Sequence, residues 1–384
     1  MAIQPHPARP TRSRPKKGAD DMAFLSMHSF AMLALARPSE PQQRVLQEPG
    51  GGACDATVAY VFLTQRDLPL ASAWRVYLDS CPAGSHVVHV LASDGAPTSD
   101  GAAPYPALPE ARIVNHSYPG VNIRCRLETI DAMARLWDAS ATTRAPNGCV
   151  PRWTHLLSDS CAPHVSCASF HRSLAANTGV SLLRGGRDSK LGGHPPNRSD
   201  FSDPRLHDTG VDPQCVLKAS QWSTLWMPHA ETLVRSAGPY IRAYNAATRQ
   251  GFVHRMGCPD EFYTAWQLHS HRLSFSHGHG PTTVDWEHGE DGGHPARAMC
   301  TAANETAADE SAAAGARPHG AEDVWGAPSS DAQLRALLDR ARQEGTAFVR
   351  KVDASCAAPL ERAVRAIVSD DDDTRREFVP PGCM

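Results

Sequence analysis

Thr57-Val-Ala-Tyr-Val-Phe-Leu63 is an unbroken run of β-branched, aromatic and small apolar residues. Its residues do not alternate between apolar and polar, so the run predicts a strand that is buried on both faces of a sheet. Such strands are typical of parallel sheets, because the connecting helices cover both faces. The run therefore indicates the start of a folded α/β domain.

Strand and helix patterns alternate along the chain after this run. Ile123, Leu127, Ile130, Ala134 and Trp137 follow one another at spacings of 4, 3, 4 and 3 residues, which is one face of a helix. Further helices are predicted over 69–80, 228–247, 331–343 and 359–368, and further strands over 85–91, 111–114, 153–157 and 347–352. The alternation predicts an α/β fold with a mostly parallel, doubly wound sheet flanked by helices.

The composition divides the chain into three segments. We expect a disordered tail over 1–54, one domain over 55–369 and an acidic tail over 370–384. Within the first tail, residues 22–36 are mostly apolar and follow a basic cluster, but a helix that spans a membrane needs about 20 residues. This run is either a degenerate signal anchor or an amphipathic helix.

Charge and cysteine content narrow the classes of protein. The 384 residues carry a net charge of −3 without a broad basic field, which argues against a nucleic-acid partner. The 11 cysteines include no CxxC pair, and their odd number leaves at least one thiol unpaired in a monomer. The sequence defines neither the disulfide pairs nor the oligomeric state. It also lacks the motifs of phosphate loops, serine hydrolases and zinc proteases.

Two adjacent carboxylates, Asp260 and Glu261, follow Pro259 at the predicted start of a helix. Proline suits the first helical position, and the helix dipole favours a charged carboxylate in the first turn. A charged, oriented carboxylate is what a general base requires. Acidic residues also stabilise helix starts without any catalytic role, so the motif alone leaves both interpretations open.

The carboxyl ends of the predicted strands supply candidate ligand contacts, because ligands of doubly wound sheets bind beyond these ends. The candidates are Thr64, Gln65, Arg66, His89 and Ser158 with the residues that follow it. For any one of them, an ordinary loop at a strand end is the better explanation.

Metal ligands do not form a clear set. His269, His271, His277 and His279 are dense, but no carboxylate or thiolate completes a site, which favours a solvated loop. The Asp-x-Asp pair by which many nucleotide-sugar transferases hold a metal occurs here only in the acidic run 370–373. The residues alone therefore favour no metal site and leave one open.

Side-chain cations offer an alternative to a metal. Arg350 and Lys351 lie on a predicted strand, where adjacent side chains point to opposite faces. One of them could bind a phosphate through charge-assisted hydrogen bonds, although a pair of surface cations explains the pattern equally well. Trp286 could present a flat apolar face to a sugar ring, or it could belong to the core.

The order of these motifs resembles the core-2/I-branching β-1,6-N-acetylglucosaminyltransferase family, including its plant-type relatives. Six blocks between residues 57 and 353 carry the resemblance. They are Val58-Ala-Tyr-Val-Phe-Leu-Thr64 with Leu68-Pro-Leu70 and Trp74, Leu156-Leu-Ser-Asp-Ser-Cys-Ala-Pro163, Lys218-Ala-Ser-Gln-Trp222, Cys258-Pro-Asp-Glu-Phe-Tyr263, Val284-Asp-Trp286 with His294-Pro295, and Phe348-Val-Arg-Lys351.

The resemblance implies a glycosyltransferase-A-like fold and an inverting, metal-independent reaction. It implies transfer of a sugar, with N-acetylglucosamine expected, from a UDP-sugar to a glycan or glycoprotein acceptor. Glu261 corresponds to the general base and Lys351 to the residue that binds the donor diphosphate. Arg350 and Arg297 are candidates for a second basic contact. The candidate acceptor contacts are Trp286, Asp260 and Trp222.

Alternatives within and beyond this family stay open. The donor could instead be UDP-xylose or UDP-glucuronate, and the chain could be a non-catalytic carbohydrate-binding relative. Ala219 stands where the family often has glycine, and Tyr118-Pro-Gly120 replaces its Trp-Gly pair. The family and the sequons at Asn115, Asn197 and Asn304 imply a membrane-anchored protein of the Golgi or another secretory lumen, with a cytoplasmic location as the alternative.

Overall fold

The structure is a computed structural model that describes residues 54–95, 103–185, 219–249, 258–278, 280–284, 297–300 and 331–369. All of these residues belong to one compact unit, Gly50–Met384. Within them the chain forms seven α-helices, one short 3-10 helix and ten strands in two sheets. The tails predicted over 1–54 and 370–384 lie outside the described residues, apart from Cys54, and stay predictions.

Strands and helices alternate through the first half of the domain. The strands are β1 (Val58–Thr64), β2 (His86–Ala92), β3 (Arg112–Ile113), β4 (Trp153–Ser158), β5 (Ala162–Pro163), β6 (Ser181–Arg184), β7 (Thr224–Trp226), β8 (Phe275–Gly278), β9 (Thr282–Val284) and β10 (Phe348–Arg350). The α-helices are α1 (Ala71–Asp79), α2 (Leu127–Thr142), α3 (Cys167–Ala176), α4 (Met227–Arg249), α5 (Pro259–Ser270), α6 (Ala332–Glu344) and α7 (Ala357–Ser369).

The larger sheet has seven strands in the order β3-β2-β1-β4-β7-β6-β8. β1 pairs in parallel with β2 and β4, and β3 and β8 also pair in parallel with their neighbours. Among the described strands of this sheet, only β7 is antiparallel to both neighbours. The predicted α/β fold with a mostly parallel sheet is therefore confirmed.

β1 lies at the centre of the core, and all of its residues are buried. The rings of Tyr60 and Phe62 contact Trp74 of α1, with centroid separations of 6.0 and 5.0 Å. The indole Nε1 of Trp74 donates a hydrogen bond of 2.9 Å to the carbonyl oxygen of Cys161. This bond satisfies the polar atom of a buried aromatic side chain and connects α1 to the turn that follows β4.

The smaller sheet brings the end of β10 close to the end of β4. Its order is β5-β10-β9, with β10 antiparallel to β5 and parallel to β9. Phe348 of β10 stacks on His155 of β4 at a centroid separation of 4.2 Å. β5 begins four residues after the end of β4, so one short turn connects these two strands. Since β5 pairs with β10, this turn also lies beside β10.

Disulfides connect elements at both the amino-terminal and the carboxyl-terminal ends of the strands in the larger sheet. Four are present among the described residues: Cys54–Cys149, Cys81–Cys167, Cys125–Cys258 and Cys300–Cys356. Cys54–Cys149 lies on the amino-terminal side of β1 and β4, whereas Cys125–Cys258 joins the chain before α2 to the residue before α5. Cys161 is a buried free thiol.

Helix α2 begins later than the apolar spacing predicts. The pattern starts at Ile123, but the helix starts at Leu127. Cys125 has a φ of 56°, which lies in the left-handed region and is incompatible with a right-handed helix. The residues just before α2 therefore form a turn at the Cys125–Cys258 bridge, and this turn contributes to the site described below.

Candidate functional site

The site is centred on Arg350, the last residue of β10. Its Nε donates a hydrogen bond of 3.3 Å to the hydroxyl of Ser158, the last residue of β4. Its guanidinium carbon lies 4.4 Å from the ring centroid of Trp222, a cation–π arrangement. The ends of two strands and the segment before β7 thus meet at one partly buried guanidinium.

The turn after β4 supports this arginine. The Ser158 hydroxyl lies 3.1 Å from the Ser160 hydroxyl and 3.3 Å from the Cys161 thiol. The Val352 N–H donates to the Ser160 carbonyl oxygen at 2.9 Å. Burial raises the pKa of the Cys161 thiol above its ordinary value, so this thiol is neutral at physiological pH.

Helix α5 brings two carboxylates to the same place. Pro259 is its first residue, Asp260 is fully buried and Glu261 is partly exposed. The Ala219 N–H donates to the Glu261 carbonyl oxygen at 2.9 Å, which connects the helix start to the segment that carries Trp222. Both carboxylates lie in the first turn, where the helix dipole favours negative charge.

The Glu261 carboxylate is close enough to Arg350 to attract it electrostatically. Burial is the main influence on the Arg350 pKa and lowers it, while the negative charges of Asp159 and Glu261 act in the opposite direction. An arginine keeps its proton at physiological pH under such a shift. A carboxylate and a permanent cation therefore share this edge of the sheet.

Lys351 adds a second cation beside Arg350. Partial burial lowers its pKa from 10.5 to about 8, and repulsion from Arg350, Arg124 and Arg297 lowers it in the same direction. We call Arg124, Arg297, Arg350 and Lys351 the cation cluster. Arg297 also donates a hydrogen bond of 3.0 Å to the Asp353 carboxylate, which neutralises part of the charge.

Arg124 is the member of this cluster that the sequence did not indicate. It precedes Cys125, whose bridge to Cys258 places it beside the start of α5. The pattern Arg124-Cys125-Arg126 carried the signal, but it becomes informative only when the partner of Cys125 is known. A cysteine pairing, rather than a motif, was the missing information.

The other predicted donor contacts form a neighbouring group at the ends of β1 and β2. The Ser93 N–H donates to the Thr64 carbonyl oxygen at 2.9 Å, and the Gln65 amide nitrogen donates to the Asp94 carboxylate at 2.9 Å. The Tyr105 hydroxyl donates to the Arg66 carbonyl oxygen at 2.8 Å.

This group continues the edge defined by Arg350, because Leu63 of β1 pairs with Ser158 of β4. His89 lies inside β2, paired with Arg112 of β3, rather than at the strand end. Burial, with a smaller contribution from Arg112, lowers the His89 pKa to about 4. The structure therefore brings Thr64, Gln65 and Arg66 to the edge and leaves His89 three residues before it.

Within the described ranges, two groups of side chains have the residue types of metal ligands. They are Cys81, Cys167 and His171, and Cys125, Cys258 and Asp260. In each group the two thiols form a disulfide, so neither offers the thiolate that a metal would bind. Trp286 and His279 lie outside the described residues, and their predicted roles stay predictions.

No helix in the described part of the chain is long and apolar enough to cross a membrane. Residues 22–36, for which a signal anchor or an amphipathic helix is predicted, are outside that part.

The fold and the site define an α/β protein with a carboxylate and a cation cluster at the carboxyl edge of its sheet. No protein-family profile matches the sequence, and no curated protein matches it. Among solved structures, the chain is similar to apo mouse xyloside xylosyltransferase 1, with a TM-score of 0.31 and 11% sequence identity. The similarity covers 57% of this chain and 84% of that chain. Such a remote likeness carries no argument about activity.

Proposed function

We propose that this protein is an inverting, metal-independent glycosyltransferase. It transfers a sugar, most simply N-acetylglucosamine, from a UDP-sugar to a glycan or glycoprotein acceptor, with Glu261 as the general base. The observation that carries the proposal is the proximity of the Glu261 carboxylate to Arg350, the neighbour of Lys351, at one edge of a mostly parallel sheet.

The chemistry of inverting transfer requires these two kinds of group. The acceptor oxygen forms a bond to the anomeric carbon while the bond from that carbon to the phosphate oxygen breaks. The acceptor proton goes to the carboxylate, and placed bases of this kind are typically worth about 10²–10⁴-fold in rate. The leaving diphosphate gains negative charge, which fixed cations stabilise.

The spatial arrangement of the sequence blocks also supports the proposal. Four of the blocks that carry the family resemblance meet around Arg350: the turn after β4, the segment ending at Trp222, the start of α5 and the end of β10. These blocks are far apart in sequence, and their meeting around one side chain is consistent with a shared site. Arg350 and Lys351 are the groups proposed to take the place of a metal at the diphosphate.

A secretory location is part of the proposal. Four disulfides among the described residues favour an oxidising compartment, because reducing compartments keep thiols reduced. Glycan and glycoprotein acceptors are found in the secretory lumen. Treatment of protein secreted from a eukaryotic host with a glycosidase would test whether the sequons are used, and thiol titration would count the free cysteines.

The test of activity is release of UDP from UDP-N-acetylglucosamine, UDP-xylose and UDP-glucuronate, measured with and without EDTA. We expect release from one donor to exceed the others when a glycan acceptor is added, and to persist in EDTA. A requirement for added manganese would contradict metal independence. Glycan binding without UDP release from any donor would instead identify a non-catalytic carbohydrate-binding protein.

A further inference from the structure

Arg124 lies within electrostatic range of both cations that end β10. Burial is the largest influence that lowers the pKa values of Arg350 and Lys351, and the charge of Arg124 lowers both values further. Three cations are therefore held near one another, with Asp159 and Glu261 as nearby negative charges. Like charges held together destabilise a fold unless something of opposite charge compensates them. The same group of cations attracts an anionic ligand.

The backbone around Arg124 is fixed at several points. The Arg124 N–H donates to the Asn122 side-chain oxygen at 3.1 Å, and the Arg126 N–H donates to the Ile123 carbonyl oxygen at 3.1 Å. The bridge that follows brings the Cα atoms of Cys125 and Cys258 to 4.0 Å. Cys258 immediately precedes α5, so this turn and the helix that carries Glu261 are held together covalently.

We propose that Arg124 is a third cationic contact for the diphosphate of the nucleotide donor, and that the Cys125–Cys258 disulfide positions it there. This inference rests on the proposed function, because it assigns a ligand to the same site. An arginine side chain matches the task, since its planar fork of donors binds two phosphate oxygens at once. Arg124 is an exposed residue of the turn before α2.

The structure supplies a matched control for this role. Arg126 is also exposed and lies two residues away, but it is not among the charges that influence Arg350 or Lys351. Arg124→Ala and Arg126→Ala therefore remove the same charge from the same turn. The probes are UDP, uridine and inorganic pyrophosphate, and their affinities for the full chain are measured by calorimetry.

We expect Arg124→Ala to weaken UDP and pyrophosphate binding about tenfold, the scale of one charge-assisted contact. Uridine affinity should not change, and Arg126→Ala should leave all three affinities within about twofold of the parent. Unchanged UDP and pyrophosphate affinity in Arg124→Ala would overturn the proposal, as would equal losses in both variants. If the parent binds pyrophosphate but not UDP, the glycosyltransferase proposal fails while the anion site stands.

The role of the bridge is tested with two double variants. Cys125→Ala/Cys258→Ala removes the bridge at the site, and Cys54→Ala/Cys149→Ala removes one on the opposite side of the sheet. Both lose a long covalent loop and are compared below their melting temperatures. We expect only the first to show the pyrophosphate affinity of Arg124→Ala, with no further loss when Arg124→Ala is added. Parent-like pyrophosphate affinity in the first double variant would show that the bridge does not position Arg124.

Discussion

Two polar clusters lie against the central strands, and they are built on opposite principles. The first is a tyrosine–histidine network of Tyr60, Tyr77, Ser85 and His171 in the interior. The Tyr60 hydroxyl lies 3.0 Å from the Tyr77 hydroxyl and 3.1 Å from His171 Nε2, and the Ser85 hydroxyl lies 3.3 Å from His171 Nδ1. Burial raises both tyrosine pKa values and, with a smaller effect of His86, lowers the His171 pKa to about 3.

The second is the cation cluster, which keeps its charges. Arg350 stays protonated, and Lys351, with a pKa of about 8, is mostly protonated at neutral pH. The network is neutral and its members bond to one another, whereas the members of the cluster repel one another. The comparison teaches that the polar groups of the network are neutral and pair with one another, whereas the cation cluster retains its charge in spite of burial.

The largest effect is expected from removing the proposed base. Glu261→Gln keeps the shape of the side chain and removes its charge, so turnover should fall at least about 10²-fold while UDP affinity changes little. Glu128→Gln is the matched control, because Glu128 also lies in the first turn of a helix, α2. UDP release from the preferred donor measures both variants. Near-normal turnover in Glu261→Gln would remove Glu261 from the mechanism.

Loss of a cation from the cluster should weaken nucleotide binding. Lys351→Ala should cost about 1.5–3 kcal/mol of UDP binding free energy, the scale of a hydrogen bond to a charged group. Because the remaining cations repel one another less, the variant should also be no less stable to urea than the parent. Lys351→Arg should recover most of the affinity. Parent-like UDP affinity in Lys351→Ala would show that the cluster is not a phosphate site.

The contrast between the two clusters also explains how far the sequence could be interpreted. The central strands, α1 and α2 could be predicted, because their apolar patterns are continuous or helically spaced. The pairs Asp260 with Glu261 and Arg350 with Lys351 could also be singled out, since proline, helix start and charge are all local signals. These are properties of a few neighbouring residues.

Features set by distant contacts could not be predicted. Strands β7 and β9 were not predicted, and β8 was expected to be part of a His-rich loop around His277. β8 forms because β6 pairs with it in parallel. Helix α3 was also missed, although Ser166 caps it by accepting a hydrogen bond of 3.2 Å from the Ser169 N–H. Arg124 joined the site only through a disulfide between residues 133 positions apart.

The tyrosine–histidine network should contribute to stability and not to ligand binding. His171→Leu removes a partner from both Tyr60 and Ser85 and should cost about 1–3 kcal/mol of unfolding free energy. Urea denaturation measures this loss of unfolding free energy, with the exposed His271→Leu as the control, and UDP affinity should not change.

The stabilising contribution of His171 should depend on pH. Its folded-state pKa is lowered, so the contribution to the unfolding free energy is complete above the unfolded value of 6.5 and is lost as pH falls toward 3. The stability gap between parent and variant should therefore narrow over that range, and a constant gap would contradict the assignment.

The smallest effect concerns the pH dependence of the cation cluster. With a pKa of about 8, Lys351 loses its proton above that pH in the free protein. A bound diphosphate favours the protonated form and raises this pKa, so UDP affinity should fall by at most about tenfold per pH unit above pH 8. Protein stability should instead rise between pH 8 and pH 10.5, because the unfolded lysine, with a pKa of 10.5, binds more protons than the folded one in this range.

Lys351→Arg is the control for this titration. Its side chain does not titrate in this range, and its UDP affinity should stay level from pH 7 to about 9.5. Calorimetry at several pH values compares the two proteins; the same decline in both would assign the titration to another group and remove Lys351 from the contrast between the clusters.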